Sequence, residues 1–169
     1  MVKRIYILLI ILFSLIGIVL SGMLTVAKYN KNIAAICGEE ETNSCNIVQN
    51  SDYATIFEIT NNKGDTAFQL PLSLAGMFYY ITLLILSVIL LTYFKTTKDL
   101  KKLKYFMFIV GLIGIIFSII LTWIQAYKIE AFCQFCLISA MNSLIIFVLL
   151  VIIVFSETFQ NRKKDKNAI

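Results

Sequence analysis

Residues 132–155 read FCQFCLISAMNSLIIFVLLVIIVF, a C-x-x-C at the mouth of a run that holds no charged residue. A bilayer core of roughly 30 Å is crossed by about 20 apolar residues in a helix, so this run spans once and carries its cysteines to the membrane surface. Three more runs have the same length and character: Ile5 to Ala27, Leu72 to Phe94 and Tyr105 to Ala126. Apolar residues make up 59% of the 169-residue chain and charged ones 15%, a composition that excludes an ordinary soluble domain.

The expected fold is therefore an all-α integral membrane protein, a four-transmembrane-helix bundle. Its domain plan is a single membrane domain over residues 1–160 and a basic tail over 161–169. Lys3 and Arg4 precede the first run as they would in a secretory signal. That run exceeds the 7 to 15 apolar residues typical of a cleaved signal, so it reads as a retained span.

Orientation follows from the basic residues. Eleven of the 15 fall in the N-terminal tail, the second connection and the C-terminal tail: Lys3, Arg4, Lys95, Lys98, Lys101, Lys102, Lys104, Arg162, Lys163, Lys164 and Lys166. The positive-inside rule makes both termini cytoplasmic. The expected location is the cytoplasmic (inner) membrane, multi-pass, with the cysteines on the non-cytoplasmic face. Topology accounts for the net charge of +5, and no nucleic-acid partner is needed.

Residues 28–71 form the one long outer connection. Ile47, Val48, Tyr53, Ala54, Ile56 and Phe57 are spaced as on a short amphipathic helix from Cys45 to Ile59. Asn61 to Asp65 reads as a turn, and Pro71, the only proline, suits the start of the second span. Gly17, Gly22, Gly76, Gly111, Gly114 and Ser118 are the small residues that close helix packing in a membrane requires.

The chain has no histidine, which removes the commonest general base and metal ligand. Four cysteines carry the available chemistry. Cys37 and Cys45 are separated by seven residues in the outer connection, and Cys133 and Cys136 lie one helical turn apart. Unpaired N–H groups and the positive end of the helix dipole favour a thiolate at that position, a candidate electron donor to a membrane quinone. Two other readings stay open on spacing alone. One is a zinc half-site, for which the wide Cys37–Cys45 spacing is a poor template. The other is a pair of structural disulfides in a non-catalytic membrane protein.

Taken together, Cys37-x7-Cys45, the following Val48, Ser51, Tyr53 and Ala54, and Cys133-Gln134-Phe135-Cys136 at the start of the last span resemble the vitamin K epoxide reductase family and its bacterial homologues. The resemblance runs from the first span through the fourth. It implies four core helices around a quinone, with Cys133 and Cys136 as the active-site pair and Cys37 and Cys45 as the shuttle pair. Cys136 would face the quinone, Cys45 would attack Cys133, and Cys37 would resolve the mixed disulfide. Ser51 matches the family's serine beside the shuttle pair.

The activity implied is a quinone-dependent protein disulfide oxidoreductase, with menaquinone or ubiquinone as cofactor and a separate thioredoxin-like (DsbA-like) exported protein as partner. A quinone or vitamin K epoxide reductase driven by partner thiols is the alternative within the family. Three departures bear on that choice. Ser44 stands where the family has glycine, Ala140 where the animal enzymes have a tyrosine, and Leu72 where they have a quinone-contacting asparagine. DsbB-type oxidases use the two cysteine pairs in the reverse order and match less well.

Met77, Tyr79 or Tyr80, and Phe132 and Phe135 share the membrane depth of the C-x-x-C and are candidates to line a quinone pocket. Trp123 and Tyr127 suit anchoring at the membrane surface. Glu39, Glu40 and Glu41 offer either a partner-docking surface or a solvated charge run.

Overall fold

A computed structural model describes residues 2–29, 47–49, 51–60, 66–92 and 100–166 of the chain. Helix α1 runs Val2–Tyr29, α2 Leu72–Thr92, α3 Leu100–Ile124 and α4 Gln134–Lys166. Four segments are long and apolar enough to cross a membrane: Arg4–Lys28, Leu72–Thr92, Lys102–Ile129, which runs from α3 through the turn that follows it, and Gln134–Ser156. Helices dominate because a backbone in lipid has no water to bond and must satisfy its own N–H and C=O groups.

The helices form a ring in which α1 packs on α2 and α4, and α3 packs on α2 and α4. Their inward faces meet in a core built from Ile7 and Ile10 of α1, Tyr80 and Leu83 of α2, Met107 of α3 and Ile146 of α4. Outward faces stay apolar and exposed, among them Leu12, Ile85, Phe117 and Val148, as a lipid-facing surface demands. Polar groups inside the ring bond across it. Asn142 Nδ2 donates to the Phe13 carbonyl at 3.0 Å, and the Tyr80 hydroxyl donates to the Ser139 carbonyl at 2.9 Å.

Three of the glycines read as packing residues sit at close approaches. A Cβ on Gly17 would collide with the Tyr80 ring, one on Gly114 with the Tyr79 ring, and one on Gly111 would fall 2.7 Å from Leu150 Cδ1. Gly22 faces open space within 4 Å and needs no such explanation.

The outer connection differs from expectation. Among the described residues of its first part, 47–49 are helical. After a short 3-10 turn at Asp52–Ala54, the chain enters strand β1 (Thr55–Thr60), which pairs antiparallel with β2 (Thr66–Pro71). The helix expected to reach Ile59 gives way to a hairpin because Thr55, Ile56, Phe57, Ile59 and Thr60 are β-branched or aromatic, residues that fit a pleated strand better than a helix. The turn expected at Asn61–Asp65 lies outside the described residues. Pro71 ends β2 and directly precedes α2, where its missing N–H costs no helical bond.

Gly17→Ala is expected to lose about 1–3 kcal/mol of stability through overpacking against Tyr80, whereas Gly22→Ala is neutral or slightly stabilising. Unfolding both variants in mixed micelles of mild and denaturing detergent checks the difference. Equal stability of the two would contradict the packing described.

Candidate active site

The C-x-x-C owes its position to the way the chain turns between α3 and α4. At its end α3 widens into a π-helical turn, Gln125–Ile129, and Glu130 then takes a left-handed conformation at φ 54°. This non-glycine residue in the left-handed region stops the helix and reverses the chain. Residues 131–133 are outside regular structure and α4 begins at Gln134, one residue after Cys133. Cys133 is thus the cap of α4 rather than a member of its first turn.

The capping geometry is explicit. The backbone N–H of Cys136 donates to Cys133 Sγ at 3.3 Å, which satisfies one of the orphan donors at the helix start. The Cys133 N–H in turn donates to Gln125 Oε1 at 3.3 Å. A sulfur in this cap position faces the positive end of the α4 dipole.

The two cysteines have different surroundings. Cys133 is 0% exposed, packed in an apolar cluster with Leu24, Val48 and Ala131. Val48 belongs to the outer connection, so that connection rests on Cys133. Cys136 is half-buried and forms part of the wall of a cavity of about 160 Å³, room for on the order of ten waters.

Every part of the site end contributes to this cavity. Helix α1 supplies Ser21, Leu24 and Lys28, α2 supplies Leu72, Ser73 and Gly76, and α4 supplies Ser139 and Ala140 beside Cys136. Ser118, Thr122 and Gln125 close it from α3 and the π turn, and Ser51 and Tyr53 cover it from the outer connection. The wall is mainly apolar with scattered hydroxyls, and Lys28 is its one charged side chain among the described residues. Thr25 links α1 to α2 beside it by donating to Ser73 Oγ at 2.9 Å. Such a space accepts a flat apolar ring with a few hydrogen-bonding oxygens. Among the described residues no three His, Cys, Asp or Glu side chains are grouped to hold a metal.

Of the site residues expected from sequence, Cys136 and Ser51 border the cavity, and Cys133 lies behind the wall. Ser51 closes a turn, its hydroxyl donating to the Val48 carbonyl at 2.7 Å. Cys37, Cys45, Ser44 and Glu39 to Glu41 lie outside the described residues. Met77, Tyr80 and Phe135 are not in the cavity wall. Tyr80 points into the bundle core, held between Gly17 and Ser139. Tyr79 lies against Gly114, its hydroxyl 3.3 Å from Ser143 Oγ. Phe135 packs on the apolar cluster around Cys133. Membrane depth placed these residues near the site, whereas the rotation of each helix turned them away from the cavity. Trp123 and Tyr127 are exposed and in ring contact at 5.5 Å, an arrangement suited to a surface anchor.

Sequence reasoning passed over Lys28, Ser139 and Gln125. The i+3 spacing of Ser139 from Cys136 was the available signal for one of them.

The model of the vitamin K epoxide reductase family matches residues 8–151, most of the chain. No curated protein matches it significantly.

In the reduced protein with Cys37 and Cys45 replaced by serine, a small maleimide is expected to modify Cys136 at least about tenfold faster than Cys133, because access controls thiol reactivity. Mass spectrometry of peptides from a labelling time course reads both rates. Equal rates would contradict the different burial of the two thiols.

Proposed function

The chain belongs to the vitamin K epoxide reductase family of membrane oxidoreductases, and on that footing we propose that it couples quinone reduction to disulfide formation in a separate thioredoxin-like exported protein. The observation that carries this reading is the division of labour at the C-x-x-C. Cys136 borders an apolar cavity fit for a quinone ring, while Cys133 packs against Val48 of the outer connection. Cys45 is three residues before Val48, and three residues of chain span at most about 11 Å, a link short enough for the exchange with Cys133 that this reading requires.

In the first step the Cys133 and Cys136 thiols become a disulfide, and their two electrons and two protons convert the quinone (menaquinone or ubiquinone) to the quinol. The Cys45 thiolate then attacks Cys133 Sγ, forming a Cys45–Cys133 bond and releasing Cys136 as thiolate. Cys37 next attacks Cys45, forming Cys37–Cys45 and releasing Cys133. The partner's dithiol reduces Cys37–Cys45 and leaves as a disulfide, so the cycle consumes one quinone and oxidises one partner. Ser51 contributes by fixing the turn after Val48, and with it the approach of the shuttle segment.

Leu72 and Ala140 both border the cavity. At these positions the wall offers carbon where the animal enzymes of the family offer an asparagine and a tyrosine, which favours a plain quinone over an epoxide. The distribution of basic residues supports both termini in the cytoplasm, and hence the cysteines, the hairpin and the cavity mouth on the exported face of the cytoplasmic membrane.

The test is oxidation of a reduced thioredoxin-like protein by the purified chain in detergent, with quinone as the electron acceptor. Wild type is expected to turn over, and Cys136→Ala to lose activity by on the order of 100-fold or more, since it removes a group that acts in the chemical step itself. A wild type that does not turn over with any of several quinones and partners, and whose cysteines stay locked as disulfides, would leave the disulfides a structural role.

A further inference from the structure

Gln125 is 5% exposed, stands in the cavity wall, and lies eight residues before Cys133, to which it is joined by a single hydrogen bond. A backbone N–H can only donate, so the Gln125 atom 3.3 Å from the Cys133 nitrogen is an oxygen. The two branches of the carboxamide are thereby told apart. Oε1 faces the cap of α4, and the remaining branch is an NH2 group, which accepts nothing and carries two protons to donate. Among the described residues Nε2 has no hydrogen-bond partner.

The surroundings give that donor a use. The wall presents carbon at Leu72 and Ala140. The Ser139 hydroxyl, one turn beyond Cys136, is already engaged with the Tyr80 hydroxyl at 3.0 Å. Ser73 Oγ accepts from Thr25 at 2.9 Å and keeps its own proton. A quinone carbonyl oxygen is a pure acceptor and complements an amide donor that has no partner among the described residues. Gln125 also sits in a π-helical turn, a distortion often found at functional sites. Here the wider turn brings residue 125 back onto the start of α4.

We propose that Gln125 is the specificity and positioning residue of the cavity: Nε2 donates to a carbonyl oxygen of the bound quinone while Oε1 holds the Cys133 N–H. This inference rests on the quinone reading above. One planar group then registers the substrate ring against the cap of the helix that presents Cys136. Occupancy of the cavity and the setting of the C-x-x-C become coupled through a single side chain. The donor also selects the ligand, because a ring without an acceptor at that edge leaves the amide unpaired.

The chain has one tryptophan, Trp123, two residues from Gln125, and quinones quench indole fluorescence. The saturable part of Trp123 quenching by menadione therefore reports a dissociation constant without turnover. Gln125→Leu removes both bonds and is expected to weaken binding about three- to tenfold, the worth of one neutral hydrogen bond. Gln125→Glu keeps an acceptor for the Cys133 N–H but loses its donor on ionisation. Relative to wild type, its menadione affinity is expected to fall as pH rises, a dependence that a purely structural residue does not produce. In turnover the quinone KM of both variants rises while the KM for the thiol partner stays put.

Should Gln125→Leu fail to fold, Gln125→Glu carries the test alone. Menadione affinity equal to wild type at every pH in Gln125→Glu overturns the assignment. A wild type that neither shows saturable quenching nor turns over with quinone overturns the quinone reading instead, and this inference with it.

Discussion

The hydrogen bond from the Cys136 N–H to Cys133 Sγ sets the rest of the site. A cap must lie just outside the helix it caps, so Cys133 is placed off the end of α4, where the outer connection packs on it. Cys136, three residues later, is carried round by one turn to the inside of the ring and meets the cavity. Two sulfurs close enough in sequence to bridge therefore look in different directions, one toward Val48 of the outer connection and one toward the apolar cavity.

This arrangement holds only if α4 cannot rotate. Lipid gives no hydrophobic drive for helix association, and packing plus interhelical hydrogen bonds must do the work. Tyr80 provides both: its ring fills the notch at Gly17, and its hydroxyl bonds the Ser139 carbonyl and lies 3.0 Å from the Ser139 hydroxyl. Asn142 bonding to the Phe13 carbonyl fixes α4 against α1 from a second point one turn along. Each such bond contributes about 0.6 to 2 kcal/mol, and together they define which face of α4 carries Cys136 to the cavity. Tyr80 thus acts on the site from the core by orienting α4.

Much of this was legible in the sequence. Four charge-free apolar runs and a C-x-x-C at the head of the last one are enough to place the spans, because helix length and bilayer thickness leave little choice. The hairpin was legible too and was missed. TIFEIT and TAFQLP are two strand-like runs separated by Asn-Asn-Lys-Gly-Asp, but the apolar spacing of residues 47–57 was counted across both a helical turn and a strand. The cavity residues were harder to find. Depth along a helix can be counted, whereas rotation depends on partners such as the Gly17–Tyr80 contact, and so Tyr80 and Met77 were expected where Ser73 and Gly76 line the wall. Gln125 carries no motif at all. Its place depends on a π turn and a left-handed Glu130, which bring it back to a residue eight positions on.

The central claim is that Cys133, and not Cys136, is the sulfur that meets the shuttle segment. Two variants isolate it: Cys37→Ala with Cys136→Ala leaves Cys45 and Cys133, and Cys37→Ala with Cys133→Ala leaves Cys45 and Cys136. Under mild oxidation, peptide mapping should find Cys45–Cys133 forming at least about tenfold faster than Cys45–Cys136, because Val48, three residues from Cys45, packs on Cys133. Cross-linking of Cys45 to Cys136 as fast as to Cys133 would contradict the division between the two thiols.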